Sequence, residues 1–189
     1  GAFYFGVKFV RYALWSWVPF LLEKNFGLAV DDAAYISTIF DLAGFAGVVC
    51  AGIASDRLFN GKRALPSFVM LVGMLLGCGM LWFVGATSLF WFGLAIGLIG
   101  FMLFGPDSLL SGAGAIEVGS PKLAVAAAGI INGTGSLGAV VQALLVSRIL
   151  ENSDGAMGPV FAVLGLASAT SIVAISVVLL RNRRGSADL

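Results

Sequence analysis

Lys8 and Arg11 lie three residues apart in a stretch that is otherwise apolar and aromatic, Tyr4-Phe5-Gly6-Val7-Lys8-Phe9-Val10-Arg11-Tyr12-Ala13-Leu14-Trp15. On a helix that spacing sets both cations on one face. A cation near the middle of a bilayer costs about 2.5–3.5 kcal/mol on insertion scales, so two together require a compensating anion. A guanidinium presents a planar fork to two oxygens of one oxyanion, and an ammonium adds a movable point charge. Together they suit a phosphate or phosphomonoester dianion. Tyr4 and Trp15 fall on the same helical stripe, where their rings fit either the wall of a ligand site, flanking a sugar or glyceryl group, or ordinary packing.

The elements that must position these residues are membrane helices. The 189 residues are 59% hydrophobic and 11% charged, with a mean hydropathy of +1.01, against about 25% charged residues in a soluble domain. Barrel-type alternation is absent, so the expected fold is all-α, a polytopic transmembrane helix bundle. A crossing needs about 20 helical residues, and the apolar stretches give six: residues 2–22, 33–54, 65–84, 88–112, 123–149 and 160–180. Six crossings divide most simply into two inverted three-helix repeats. Arg57, Lys62, Arg63, Lys122, Arg181, Arg183 and Arg184 then fall on one side, which the positive-inside rule makes cytoplasmic. Gly1 opens directly into an apolar helix without an initiator Met, and the chain is expected to be the tail of a longer protein.

Other residues offer chemistry inside the spans. Asp41, in the second, is expected to pair with Lys8 or Arg11, either as a fixed bridge or as one that loosens when an anion arrives. Asp107 follows Gly105-Pro106, where proline suggests a kink, and is a further candidate for coupling or a salt bridge. Asn132 and Ser136, one turn apart in the fifth span, offer neutral hydrogen bonds to a ligand or to a neighbouring helix. Small-xxx-small pairs such as Gly73/Gly77, Gly93/Gly97 and Gly129/Gly133 predict close helix packing. Gly133-Thr-Gly135-Ser-Leu-Gly138 matches a dinucleotide fingerprint but has no strand before it, so no cofactor is expected. Cys50 and Cys78 read as two buried thiols. A net charge of +1 gives no nucleic-acid footprint. The chain has no His and no metal-ligand cluster, and neither an enzyme nor a metal centre is expected.

Gly52-Ile-Ala-Ser55-Asp56-Arg57-Leu-Phe-Asn60-Gly61-Lys62-Arg63 resembles the loop signature of the major facilitator superfamily, in which an Asp-Arg pair and following basic residues form a conformational latch. The first span, with Lys8, Arg11, Trp15 and Pro19, resembles the seventh helix of the organophosphate:phosphate antiporters, the glycerol-3-phosphate, hexose-phosphate and sugar-phosphate exchangers. The resemblance continues through Ser37-Thr-Ile-Phe-Asp41, Phe104-Gly105-Pro106, Ala115-Ile-Glu117 and Asn132-Gly133-Thr-Gly135-Ser136, covering all six spans. It implies a C-terminal six-helix half whose Arg11 grips a substrate phosphate, with Lys8 beside it as in the eukaryotic branch. It also assigns Gly52, Asp56, Arg57 and Arg63 to the latch.

The function implied is exchange of an organophosphate for inorganic phosphate by alternating access. The expected partners are both anions, the bilayer and an N-terminal six-helix half; the expected location is a bacterial inner membrane, or else the endoplasmic reticulum. Two other functions are compatible with the residues: a non-transporting sugar-phosphate sensor of the same fold, and a proton-coupled facilitator of another branch, which would not need Lys8 and Arg11 facing a cavity.

Overall fold

A computed structural model describes residues 2–113 and 121–183. Among them are six long helices and no strand: α1 (Ala2–Phe26), α2 (Val30–Leu58), α3 (Ala64–Met80, continued by a π-helical turn Leu81–Gly85), α4 (Leu89–Pro106, continued by a π-helical turn Asp107–Ala113), α5 (Pro121–Asn152) and α6 (Met157–Arg183). Glu117 and Arg184 lie outside the described residues.

The chain reverses where local chemistry permits. Between α2 and α3, Asn60 and Gly61 take positive φ of 51° and 78°, and the Gly61 N–H reaches back to the Ser55 carbonyl at 2.9 Å. After α5 the pair Asp154 and Gly155, with φ of 51° and 80°, turns the N–H of Gly155 onto the Leu150 carbonyl at 2.9 Å. Both are left-handed caps that satisfy carbonyls at a helix end. Asp31 and Asp32 occupy the first turn of α2 and Arg57 its last, each sign matched to the helix dipole.

Helices α2 to α6 are long and apolar enough to cross a membrane. Lys8, Arg11 and the polar-tipped aromatics dilute α1, whose place in the bundle comes from packing. Val7, Val10, Leu14, Val18 and Leu22 are buried at successive turns, against α2, α5 and α6. The chain is an integral, multi-pass membrane bundle.

Its packing repeats. The chief contacts of α1 are with α5 and α6, those of α4 are with α2 and α3, and α3 meets α6. Exchanging α1–α3 for α4–α6 leaves that set unchanged. The repeat extends to single residues. A Cβ on Gly47 of α2 would lie 2.0 Å from the Phe101 carbonyl oxygen of α4, and one on Gly138 of α5 would lie 2.2 Å from the Phe5 carbonyl oxygen of α1. One turn away, Gly44 faces the Phe104 ring and Gly135 faces Lys8 and Tyr4. The step along the chain that carries Phe5 to Phe101 and Lys8 to Phe104 also carries Arg11 to Asp107. The step that carries Gly44 to Gly135 and Gly47 to Gly138 also carries Asp41 to Asn132. Three crossings per unit make the two units opposite in orientation, so the repeat is inverted.

Cys78 is buried, its Sγ 3.4 Å from Ser168 Oγ. Cys50 corrects the expectation of two buried thiols, because its side chain faces outward from α2.

Candidate substrate-binding site

The site forms where α1 and α4 approach each other. Pro106 has no N–H to donate to the preceding turn, and its ring crowds the carbonyl there. The helix widens into the π-turn that begins at Asp107, an arrangement often found at functional positions. Ser111 Oγ donates to the Asp107 carbonyl within that turn.

Asp107 is only 8% exposed and both of its carboxylate oxygens are engaged from α1. Tyr4 Oη donates to Oδ1 at 2.5 Å, and Arg11 Nη1 donates to Oδ2. This is the ion pair of the site, and it corrects the expected partnership. Arg11 is held by Asp107, and Asp41 has no ion pair among the described residues. The physical reason is the repeat: Arg11 and Asp107 occupy equivalent positions on the two helices that face each other across its axis, whereas Asp41 lies on α2 at the cavity wall.

The guanidinium is not used up by this pairing. Its carbon sits 4.5 Å from the centroid of the Phe104 ring, whose face favours the cation and fixes its plane. The Arg11 side chain remains 37% accessible against 11% for Asp107, leaving donors of its five-N–H fork for a second oxyanion. Lys8 lies one turn away, its Nζ 5.1 Å from the Tyr4 ring centroid, and it has no ion pair among the described residues. Lys8 thus reaches the ring of Tyr4, and Arg11 reaches the carboxylate that Tyr4 also holds. Tyr4 is buried behind Asp107, where it orients the carboxylate and carries Lys8 on its ring.

Trp15 is largely exposed, standing edge-on to Tyr12. With Arg11, Tyr12, Phe40 and Asp41 it lines a cavity of about 140 Å³. Asn132 lies on the exposed face of α5, at the position equivalent to Asp41. It is one turn before Gly135, where α5 meets Tyr4 and Lys8. Ser136 Oγ donates to the Asn132 carbonyl at 2.9 Å, within the same helix. A larger groove of about 690 Å³ between α2 and α4, lined by Ile36, Ile39, Ala43, Gly97 and Phe101, is apolar and offers an anion nothing.

The residues assigned to a latch sit at the other end of α2. Asp56 and Arg57 are exposed on its last turn, Gly52 has open space where a side chain would be, and Arg63 is half-buried at the entry to α3. They are far along the chain from Arg11 and Asp107.

No protein-family model matches the chain. Over 145 residues it is 32% identical to the membrane sensor protein UhpC of Escherichia coli (strain K12), covering 77% of this chain and 33% of that protein. Over 154 residues it is 32% identical to sugar phosphate exchanger 3 of Gallus gallus, covering 77% of this chain and 30% of the relative. Over 132 residues it is 30% identical to the glycerol-3-phosphate transporter of Bacillus subtilis (strain 168), covering 70% and 30% respectively. The chain belongs to the organophosphate:phosphate antiporter family of the major facilitator superfamily. It spans about a third of the length of these relatives, which are named as a sensor, an exchanger and a transporter. The signal that would have paired Asp107 with Arg11 in the sequence is the step between them, visible only once the two three-helix units are aligned through their glycines.

Proposed function

We propose that this chain is the C-terminal six-helix half of a membrane antiporter that exchanges a phosphate ester, glycerol 3-phosphate or a sugar phosphate, for inorganic phosphate. The observation that carries this is the Arg11–Asp107 pair. A carboxylate already occupies one branch of the guanidinium, with unpaired Lys8 alongside, so a substrate phosphate entering the cavity competes with Asp107 for Arg11 and takes Lys8 as well. Substrate binding then loosens the tie between α1 and α4. The empty protein, tied at Asp107 and carrying an unpaired ammonium, reorients slowly; the phosphate-loaded form reorients readily, which makes the process an exchange. An N-terminal half closes the cavity from the other side, and Gly52, Asp56, Arg57 and Arg63 act as the latch at the membrane face. The membrane is a bacterial inner membrane in this proposal.

The test uses the full-length protein that carries these helices, reconstituted in vesicles. Uptake of labelled glycerol 3-phosphate or glucose 6-phosphate should depend on inorganic phosphate trapped inside. Equal uptake with and without the protein would overturn the proposal. Similarity to UhpC, named as a membrane sensor, favours a second function, sensing without transport. Saturable ester binding with no phosphate-dependent uptake would decide for it.

A further inference from the structure

Beside the Arg11 cavity lies a second one of about 200 Å³ between α1 and α2, bounded by Trp15, Pro19, Ser37, Thr38, Phe40 and Asp41. The two share Trp15, Phe40 and Asp41 as a common wall. At about 30 Å³ per water in the liquid, the second cavity has the scale of a glyceryl arm or a single sugar ring. Its hydroxyl and carboxylate oxygens have one sense. Ser37 Oγ donates to the Ala33 carbonyl at 2.7 Å and Thr38 Oγ1 to the Tyr35 carbonyl at 2.6 Å, so both hydroxyls present lone pairs to any further partner. Asp41 is exposed, acceptor-only when ionised, and free of any ion pair among the described residues. A wall of acceptors beside an accessible indole face asks for a ligand that donates hydrogen bonds and has C–H surface to stack: a polyol. The same carboxylate repels a second anionic group, so the phosphate is directed to Arg11 and the hydroxyl-bearing part to this side.

Resting on the phosphate site proposed above, we propose that the Trp15–Asp41 cavity is the subsite for the organic part of the ester, in which Asp41 accepts substrate hydroxyls and distinguishes a polyol phosphate from a plain alkyl phosphate. A lost hydrogen bond to a charged group corresponds to about ten-fold or more, and that sets the scale of the discrimination.

The experiment compares glycerol 3-phosphate with propyl phosphate, which keeps the carbon chain and phosphate and lacks the hydroxyls, as competitors for labelled inorganic phosphate exchange by the full-length protein. The wild type should prefer glycerol 3-phosphate by about ten-fold or more. Asp41→Ala should shrink that ratio several-fold, Asp41→Asn should shrink it less, and Asp41→Glu should keep most of it. A ratio unchanged by Asp41→Ala, or a wild type without hydroxyl preference, would overturn the proposal. If Asp41→Ala yields no folded protein, the Asn and Glu variants decide by the same ratio. Aminoethyl phosphate outcompeting glycerol 3-phosphate would also overturn it, because the acceptor wall would then serve an ammonium. A wild type that exchanges no inorganic phosphate at all would instead remove the phosphate site itself.

Discussion

Asp107 is the residue on which the electrostatics of the site turn. It neutralises Arg11 when no substrate is present, and its second oxygen is steadied by Tyr4. Replacing it with Asn keeps the shape and removes the charge. Asp107→Asn should therefore bind inorganic phosphate more tightly, with a half-saturating concentration lowered several-fold, because the internal competitor is gone. The same variant should be less stable by about 1–3 kcal/mol, since Arg11 loses a charge-assisted partner in a partly buried setting. Concentration dependence of phosphate self-exchange and thermal unfolding in detergent check the two effects. Looser phosphate binding in Asp107→Asn would mean that Asp107 assists the ligand. At this scale the sequence was legible wherever a residue was out of place by type: Lys8 and Arg11 are conspicuous because cations in an apolar helix need a reason. The partner of Asp107 was not, because it is set by the approach of α1 to α4, which no local pattern reports. Asp41 drew the pairing in its place, since a carboxylate one helix away is the simplest partner to imagine.

Helices approach where glycine lets them, and the tightest approaches are not the ones that spacing alone suggested. Gly77 does face Ile99 of α4, and Gly73 faces Met102. Gly129 and Gly133, which share the same spacing, face open space. The closest contacts with backbone are those of Gly47, Gly100 and Gly138 with carbonyl oxygens of α4, α2 and α1, because a small-xxx-small pair says that a close approach is possible and leaves open which face meets a neighbour. Backbone cannot move aside as the end of a side chain can. Gly138→Val should therefore push α5 away from α1 and disturb Tyr4 and Lys8 with it, costing about 1–3 kcal/mol. Gly129→Ala, with nothing within 4 Å of its new Cβ, should stay within about 0.5 kcal/mol, the usual range for surface changes. Thermal stability of the two variants side by side checks this, and equal losses would contradict the close packing of α5 on α1.

Across the whole molecule, the hydropathy pattern carried the helical class because backbone groups in hydrocarbon leave few alternatives. The inverted repeat was readable there only as a division into three and three. Its residue correspondences emerge from packing, because the two units have diverged in side chain while keeping the contacts between α1 and α5 and between α2 and α4. That repeat places a cation and an anion at equivalent positions facing one another, with Asp41 and Asn132 at a second equivalent pair. A bundle built this way has a natural break along the axis between its units, and the Arg11–Asp107 pair lies across that break. Anything that competes for Arg11 acts on the relation between α1 and α4, and through them on their neighbours α5, α6, α2 and α3. Anion binding at Arg11, as proposed, thereby reaches all six helices.

The most direct test is the rate of inorganic phosphate exchange by the reconstituted full-length protein carrying Arg11→Lys, compared with the wild type. Lysine keeps the charge and can still meet Asp107, but it lacks the planar fork that would hold two phosphate oxygens. Exchange at subsaturating phosphate should fall by at least about ten-fold, the scale of a lost charge-assisted hydrogen bond, while the protein remains folded. Exchange within two-fold of the wild type would contradict the assignment of Arg11 as the phosphate-gripping residue.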